Sequence, residues 1–182
     1  MGLKETRDKY LSLHQKVSLD VREAFSEVDG ISVELSSESD IDNISCWVGK
    51  TAPNGVIHLP PNGGWNWRTI YQNSIGDPHK FIISIKHQNE ICGIFYGAIS
   101  RGKMVTKLHY LEAAPYKTPL SGKVMDISVT YTVSLGNAVG SSHAAIYEPN
   151  ANLKCLAIAD FGFLDKNLYG TKVELNAVYY RI

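Results

Sequence analysis

From Leu3 to Val28 the apolar residues Tyr10, Leu13, Val17, Val21, Phe25 and Val28 return every three or four positions, with Lys, Arg, Asp and Glu between them. That period draws one apolar stripe along an amphipathic helix, which Asp29-Gly30 brings to an end. "ISVELSS" then alternates apolar and polar as a half-buried strand does, and "ESDIDNISCWVG" fits either a short helix or a loop. The stretch "TAPNGVIHLPPNGGWNW" is so dense in Pro, Gly and Asn that it reads as a long loop, and loops of that length are often functional. "WNWRTIYQNSI" makes three helical turns with Trp67, Ile70, Tyr71 and Ile75 on one side.

Next come "HKFIISIKHQ" and "EICGIFYGAIS", two apolar, β-branched segments joined by the turn-like "QN", which predict a hairpin of well-buried strands. "MVTKLHYLEAAP" adds a third strand to the same antiparallel run, stopped at Pro115. Its alternation places His109 and Leu111 on one face and Tyr110 and Glu112 on the other. Beyond it, "SSHAAIYEP" predicts a short strand, "NANLKCLAIADFGF" a helix ending at Gly162, and "TKVELNAVYYRI" a final strand. One stretch resists a single reading. Ile127, Val129, Tyr131, Val133 and Leu135 alternate with Ser128, Thr130, Thr132 and Ser134 as a strand would, yet Val124, Ile127, Tyr131 and Leu135 also share one face of a helix.

The chain has 182 residues, 44% of them hydrophobic and 20% charged, enough for one compact domain over residues 1–182 with residues 1–30 as its N-terminal amphipathic helix. Lys plus Arg and Asp plus Glu are 18 each, so no basic field draws the protein to nucleic acid or to an anionic membrane. Three cysteines at wide spacing, with no C-x-x-C, suit a reducing compartment and packing roles. The N-terminus lacks the apolar core of a signal peptide and no apolar run is long enough to span a bilayer, so a soluble, cytoplasmic protein is expected. Met1 to Thr6 matches the N-myristoylation pattern, which so few loosely specified positions often meet by chance. No His, Cys, Asp and Glu spacing points to a metal, and neither a G-x-S-x-G nor a Walker loop is present.

Three local signatures, in their order, give the stretch from Ile31 to Ile182 a resemblance to the GCN5-related N-acetyltransferase (GNAT) superfamily, as an atypical member. They are "HYLEAAP", a strand ending in a small residue and a proline; the loop "PLSGKV" after it; and "LAIADFGF", a helix ending in a Gly-Phe pair. Pro119 stands where the family carries Gln or Arg, Val124 where it carries the last Gly or Ala, and Asp126 adds a negative charge in the first turn. The resemblance implies an α/β (α+β) fold with a mixed, mostly antiparallel central sheet flanked by helices, and a helix rather than a strand after Gly122. It also implies transfer of an acetyl group from acetyl-CoA to an amine of a small molecule or protein, with no metal, no nucleic acid, no membrane and a homodimer as an open assembly.

The site residues follow from the same resemblance. Leu120, Ser121, Gly122, Lys123 and Val124 would offer backbone N–H groups to a pyrophosphate at a helix N-terminus, with Lys117 or Lys123 reaching a phosphate. Leu111 and Ala113 would meet the coenzyme along the preceding strand, an N–H of Ala113 or its neighbour polarising the thioester carbonyl. Asn150 stands near an Asn that contacts the coenzyme arm, and a helix N-cap explains it equally well. His109 is the first candidate base, Glu112 the second. The tyrosine that often protonates the thiolate is replaced by Ile158, leaving Tyr147 and Tyr169 as candidate acids. Trp65, Trp67, Tyr71 and Tyr96 would line the acceptor pocket, or serve core packing. Two further readings stay open: a non-catalytic binding descendant of that fold, and an antiparallel β protein whose Trp65 and Trp67 stack on sugar.

Overall fold

In the computed structural model, which describes residues 3–165 and 177–182, the apolar strands form one sheet in sequence order, β1-β2-β3-β4-β5-β6. They are β1 (Ile31–Leu35), β2 (Lys80–His87), β3 (Glu90–Ile99), β4 (Val105–Ala113), β5 (His143–Tyr147) and β6 (Ala177–Arg181). All neighbours are antiparallel except β4 and β5, which run parallel. The β2–β3 hairpin turns on Gln88 and Asn89, at φ 48° and 73°, the left-handed pair that a two-residue connection between twisted strands requires.

The helices are α1 (Leu3–Ala24), α2 (Glu38–Ile44), α3 (Trp67–Gln72), α4 (Val124–Val139) and α5 (Ala151–Phe161). Successive residues of β2 explain why its pattern is almost unbrokenly apolar: Phe81, Ile83 and Ile85 join the core under α1 and α4, while Ile82 points to the opposite face. There it meets Ile41 and Ile44 of α2 and Trp67 of α3, so both faces of the sheet are dry. Ser37 caps α2, and the buried Asp40 accepts from its N–H and from Lys86 Nζ, each at 2.9 Å.

The ambiguous stretch is α4, a crossover helix between the parallel strands. Two of the polar positions that made it look like a strand, Ser128 and Thr132, are buried and donate to the carbonyls of Val124 and Ser128 four residues back. Its β-branched residues cost about 3 kcal/mol of helix propensity in all, whereas burying Val124, Ile127, Val129, Tyr131 and Leu135 contributes on the order of 10 kcal/mol. Burial decides the outcome. Val124, out of pattern for the resemblance, has a matching gap: a Cβ on Gly93 of β3 would lie 2.5 Å from a Val124 methyl.

The first helix ends at Ala24 rather than Val28, and the third at Gln72 before a turn. Tyr169, Gly2 and the start of the final predicted strand lie outside the described residues. Among the described residues, no helix is long and apolar enough to cross a membrane.

Candidate active site

β4 and β5 pair only from Val105 opposite His143 to Leu108 opposite Ile146, although β4 runs on to Ala113. Beyond Leu108 the two parallel strands diverge, and among the described residues no strand pairs with Leu111 or Ala113 on that edge of β4. The ladder on its other side fixes what the open edge offers. Ala114 N–H donates to the carbonyl of Cys92 on the β3 side, so the two-residue period turns the N–H and C=O of Leu111 and Ala113 into the gap.

A bulge changes the side-chain order. Tyr96 pairs with Tyr110 and Gly97 with Leu108, which leaves His109 as the extra residue of β4. The expected grouping of His109 with Leu111 is therefore corrected: His109 joins Tyr110 and Glu112 on the α2–α3 face. Its ring lies 5.4 Å from that of Tyr96 and 5.1 Å from that of Tyr147 at the end of β5. Trp65 packs against Tyr110 with ring centroids 4.7 Å apart and the planes tilted by 38°. Trp65, His109 and Tyr147 border a cavity of about 240 Å³ at the splay, with Asn62, Leu111 and Asn150, whereas Tyr96 and Tyr110 stand behind them and do not line it.

Glu112 is placed differently from its neighbours. Its side chain is 1% exposed, and its two oxygens accept from His58 Nδ1 at 2.8 Å and Trp67 Nε1 at 2.7 Å. Neither Glu112 nor Trp67 lines the cavity. Tyr71 faces a different cavity of the same volume, between α1 and β2. Asn150 caps α5, accepting from Leu153 N–H at 2.9 Å, and still borders the splay. His58, which the sequence did not single out, sits in the long loop and binds Glu112 across the chain; its loop was the one signal available.

The loop before α4 follows directly on the diverging end of β4. Leu120 is fully buried and anchors it. Ser121 N–H donates back to Thr118 C=O at 3.1 Å and Lys123 N–H to Leu120 C=O at 2.9 Å, so these two expected donors are engaged within the loop. Lys123 Nζ reaches Glu27 at 2.9 Å. Gly122, at φ +86°, is exposed, and a Cβ there would meet nothing within 4 Å. Among the described residues' hydrogen bonds, none uses the N–H of Gly122, Val124, Met125 or Asp126, the orphan donors of a helix start.

No sequence-family model matches the chain, and no curated protein matches it by sequence. Among solved structures it is similar to a spermidine N-acetyltransferase from Vibrio cholerae in complex with CoA and spermine, at TM-score 0.57 and 10% identity over 84% of this chain and 95% of that one. The sequential sheet, the splayed parallel pair and this superposition decide the architecture. The chain has the GNAT fold. A second GNAT-like structure is an acetyltransferase from Salmonella typhimurium that modifies the N-terminal serine of ribosomal protein L7/L12 (TM-score 0.55, 13% identity, 85% of this chain and 96% of that one). A third is the GNAT domain of PAT from S. lividans, at TM-score 0.55 and 9% identity over 84% of this chain and 90% of that one.

Proposed function

We propose that the chain transfers an acetyl group from acetyl-CoA to an amine of a small molecule or protein, at the gap between β4 and β5. The observation that carries this reading is the juxtaposition of an unpaired β4 edge with the N-terminus of α4. Outward N–H and C=O groups of Leu111 and Ala113 match the amide-rich arm of the coenzyme as an added strand would. The N–H groups of Gly122, Val124, Met125 and Asp126 suit a diphosphate at the positive end of the helix.

Acetyl-CoA supplies the thioester. The chain orients it, with a β4 N–H at Ala113 or its neighbour polarising the carbonyl oxygen. His109 takes the proton from the attacking amine; the new C–N bond forms as the C–S bond breaks, and the Tyr147 hydroxyl gives its proton to the departing sulfur. Both side chains border the same cavity. Trp65 forms the acceptor wall on the α2–α3 face, and Tyr96 backs His109 behind it. Glu112 and Trp67 hold that wall from beneath, through His58 and the loop.

Ile158 in place of the family's tyrosine favours a second reading, a module that binds coenzyme without turnover. Calorimetric titration with acetyl-CoA tests the binding site common to both, and absence of binding defeats both. For an active transferase, His109→Ala lowers amine acetylation by about 100-fold or more, the usual range for a lost general base, while the acetyl-CoA dissociation constant stays the same. Unchanged turnover removes His109 from the mechanism.

A further inference from the structure

β1 forms one margin of the sheet, and among the described residues nothing pairs with its outer side. Ser36 N–H donates to Ile82 C=O and Gln88 N–H to Gly30 C=O, so the even-numbered residues of this segment bond inward to β2. The N–H and C=O groups of Ile31, Val33 and Leu35 therefore point out of the sheet. Bare margins are usually blunted by lysine, proline, a bulge or a covering segment. β1 has none of the first three. Its one charge, Glu34, is tied to Lys86 of β2 at 2.6 Å, and its ladder with β2 is unbroken.

The adjoining flank of α1 also exposes apolar residues. Leu11 and Leu19 are 40% and 58% exposed, and together with Gln15 and Arg22 they border an open cavity of about 600 Å³ whose opposite wall is β1. Leucines so placed, beside a row of unsatisfied backbone groups, describe a surface built to be covered.

We propose that a second copy of the chain covers it, β1 pairing antiparallel with β1 of that copy about a two-fold axis at Val33. The sequence of β1 selects this occupant and this register. With Val33 opposite Val33, Ile31 lies opposite Leu35, and every outward N–H and C=O of the strand finds a partner. Apolar residues then meet apolar residues on the α1 face, and Glu34 meets Ser32 on the other. Sliding the pair by two residues toward the C-terminus sets Glu34 against Glu34, and sliding it the other way leaves Leu35 without a partner. One register thus satisfies backbone, side chains and charge together, and the interface is its own complement, as a two-fold contact must be. The two copies of α1 flank the axis and bring Leu11 and Leu19 toward their counterparts.

Sedimentation of the purified full chain at micromolar concentration tests this, with hydrogen exchange as a second readout. The parent sediments as two chains, and the amides of Ile31, Val33 and Leu35, which have no bond among the described residues of their own chain, exchange slowly. Ser32→Glu places a carboxylate opposite Glu34 of the other copy, and Val33→Pro removes the central donor without removing any bond within the chain. Each variant weakens association at least tenfold and frees the amides of Ile31 and Leu35, while those of Ser32 and Glu34 stay slow because β2 still holds them. Ser32→Thr, neutral and suited to a strand, remains two chains. A parent that sediments as one chain, as it would if an extended segment of another protein were the natural occupant, overturns the proposal. So does a Ser32→Glu protein that stays paired with the same slow amides.

Discussion

Glu112 carries a carboxylate into the interior and fills both of its oxygens with donors, His58 on one side and Trp67 on the other. Gly63 belongs to the same arrangement, because a Cβ there would come within 3.2 Å of the Glu112 carboxyl. A base must reach its substrate; this carboxylate instead fastens the loop of Trp65 to β4. Glu112→Gln keeps the shape but turns an amide NH2 toward one of the two donors, so it costs about 1–3 kcal/mol in urea unfolding. If Glu112 were the base, the same variant would lose turnover and keep its unfolding midpoint. At this scale the sequence pointed to the strand end that borders the splay, since His109 and Glu112 both stand in "HYLEAAP". It could not show the partner, since His58 lies far upstream in a loop with no periodicity. Nor did alternation survive the extra residue at His109. Gly97 opposite was the one hint of a bulge, and it is a glycine because a Cβ would lie 2.3 Å from the Phe81 ring.

Between residue and molecule stands α4, whose first turn, in the function proposed above, is both a helix start and an anion site. Gly122 suits both roles, with its left-handed backbone and open space beyond it. Asparagine and aspartate tolerate that backbone nearly alike, which makes Gly122→Asn and Gly122→Asp a matched pair. A carboxylate beside a helix N-terminus helps the helix, yet it occupies and repels the place of a diphosphate. Calorimetry of Gly122→Asp should therefore show acetyl-CoA binding at least tenfold weaker than that of Gly122→Asn, with thermal unfolding no less cooperative. Equal affinity in the two variants would put the phosphates elsewhere. The helix itself was half legible. Its apolar face through Val124, Ile127, Tyr131 and Leu135 was there to read, but Ser128 and Thr132 counterfeited a strand because their hydroxyls are satisfied within the helix. Only the resemblance carried by "HYLEAAP", "PLSGKV" and "LAIADFGF" favoured the helix, and the structure shows why burial upholds it.

Across the whole molecule, the periods marked most of the strands and helices, the mostly antiparallel sheet was what the resemblance implied, and the long loop was the part that periods could not place. The N-terminal helix is joined to α4 by a buried polar contact. His14 of α1 is 4% exposed, its Nδ1 lies 2.8 Å from the Tyr131 hydroxyl of α4, and its ring lies 5.3 Å from Phe81 of β2. Burial lowers its pKa from 6.5 to about 4, and burial raises that of Tyr131, so Tyr131 donates and His14 stays neutral. The sign of the pH effect follows. Between about pH 4 and 6.5 the unfolded chain binds a proton that the folded chain refuses, so stability is full above 6.5 and declines as the pH falls toward 4. The loss over that window is on the order of 3 kcal/mol. His14→Gln retains an acceptor for Tyr131 but cannot titrate, so its urea midpoint should change less between pH 7 and pH 4.5 than the parent's. If the two proteins lose stability in parallel on acidification, His14 protonates as readily in the folded chain as in the unfolded one, and α1 is held to the sheet by its apolar stripe alone.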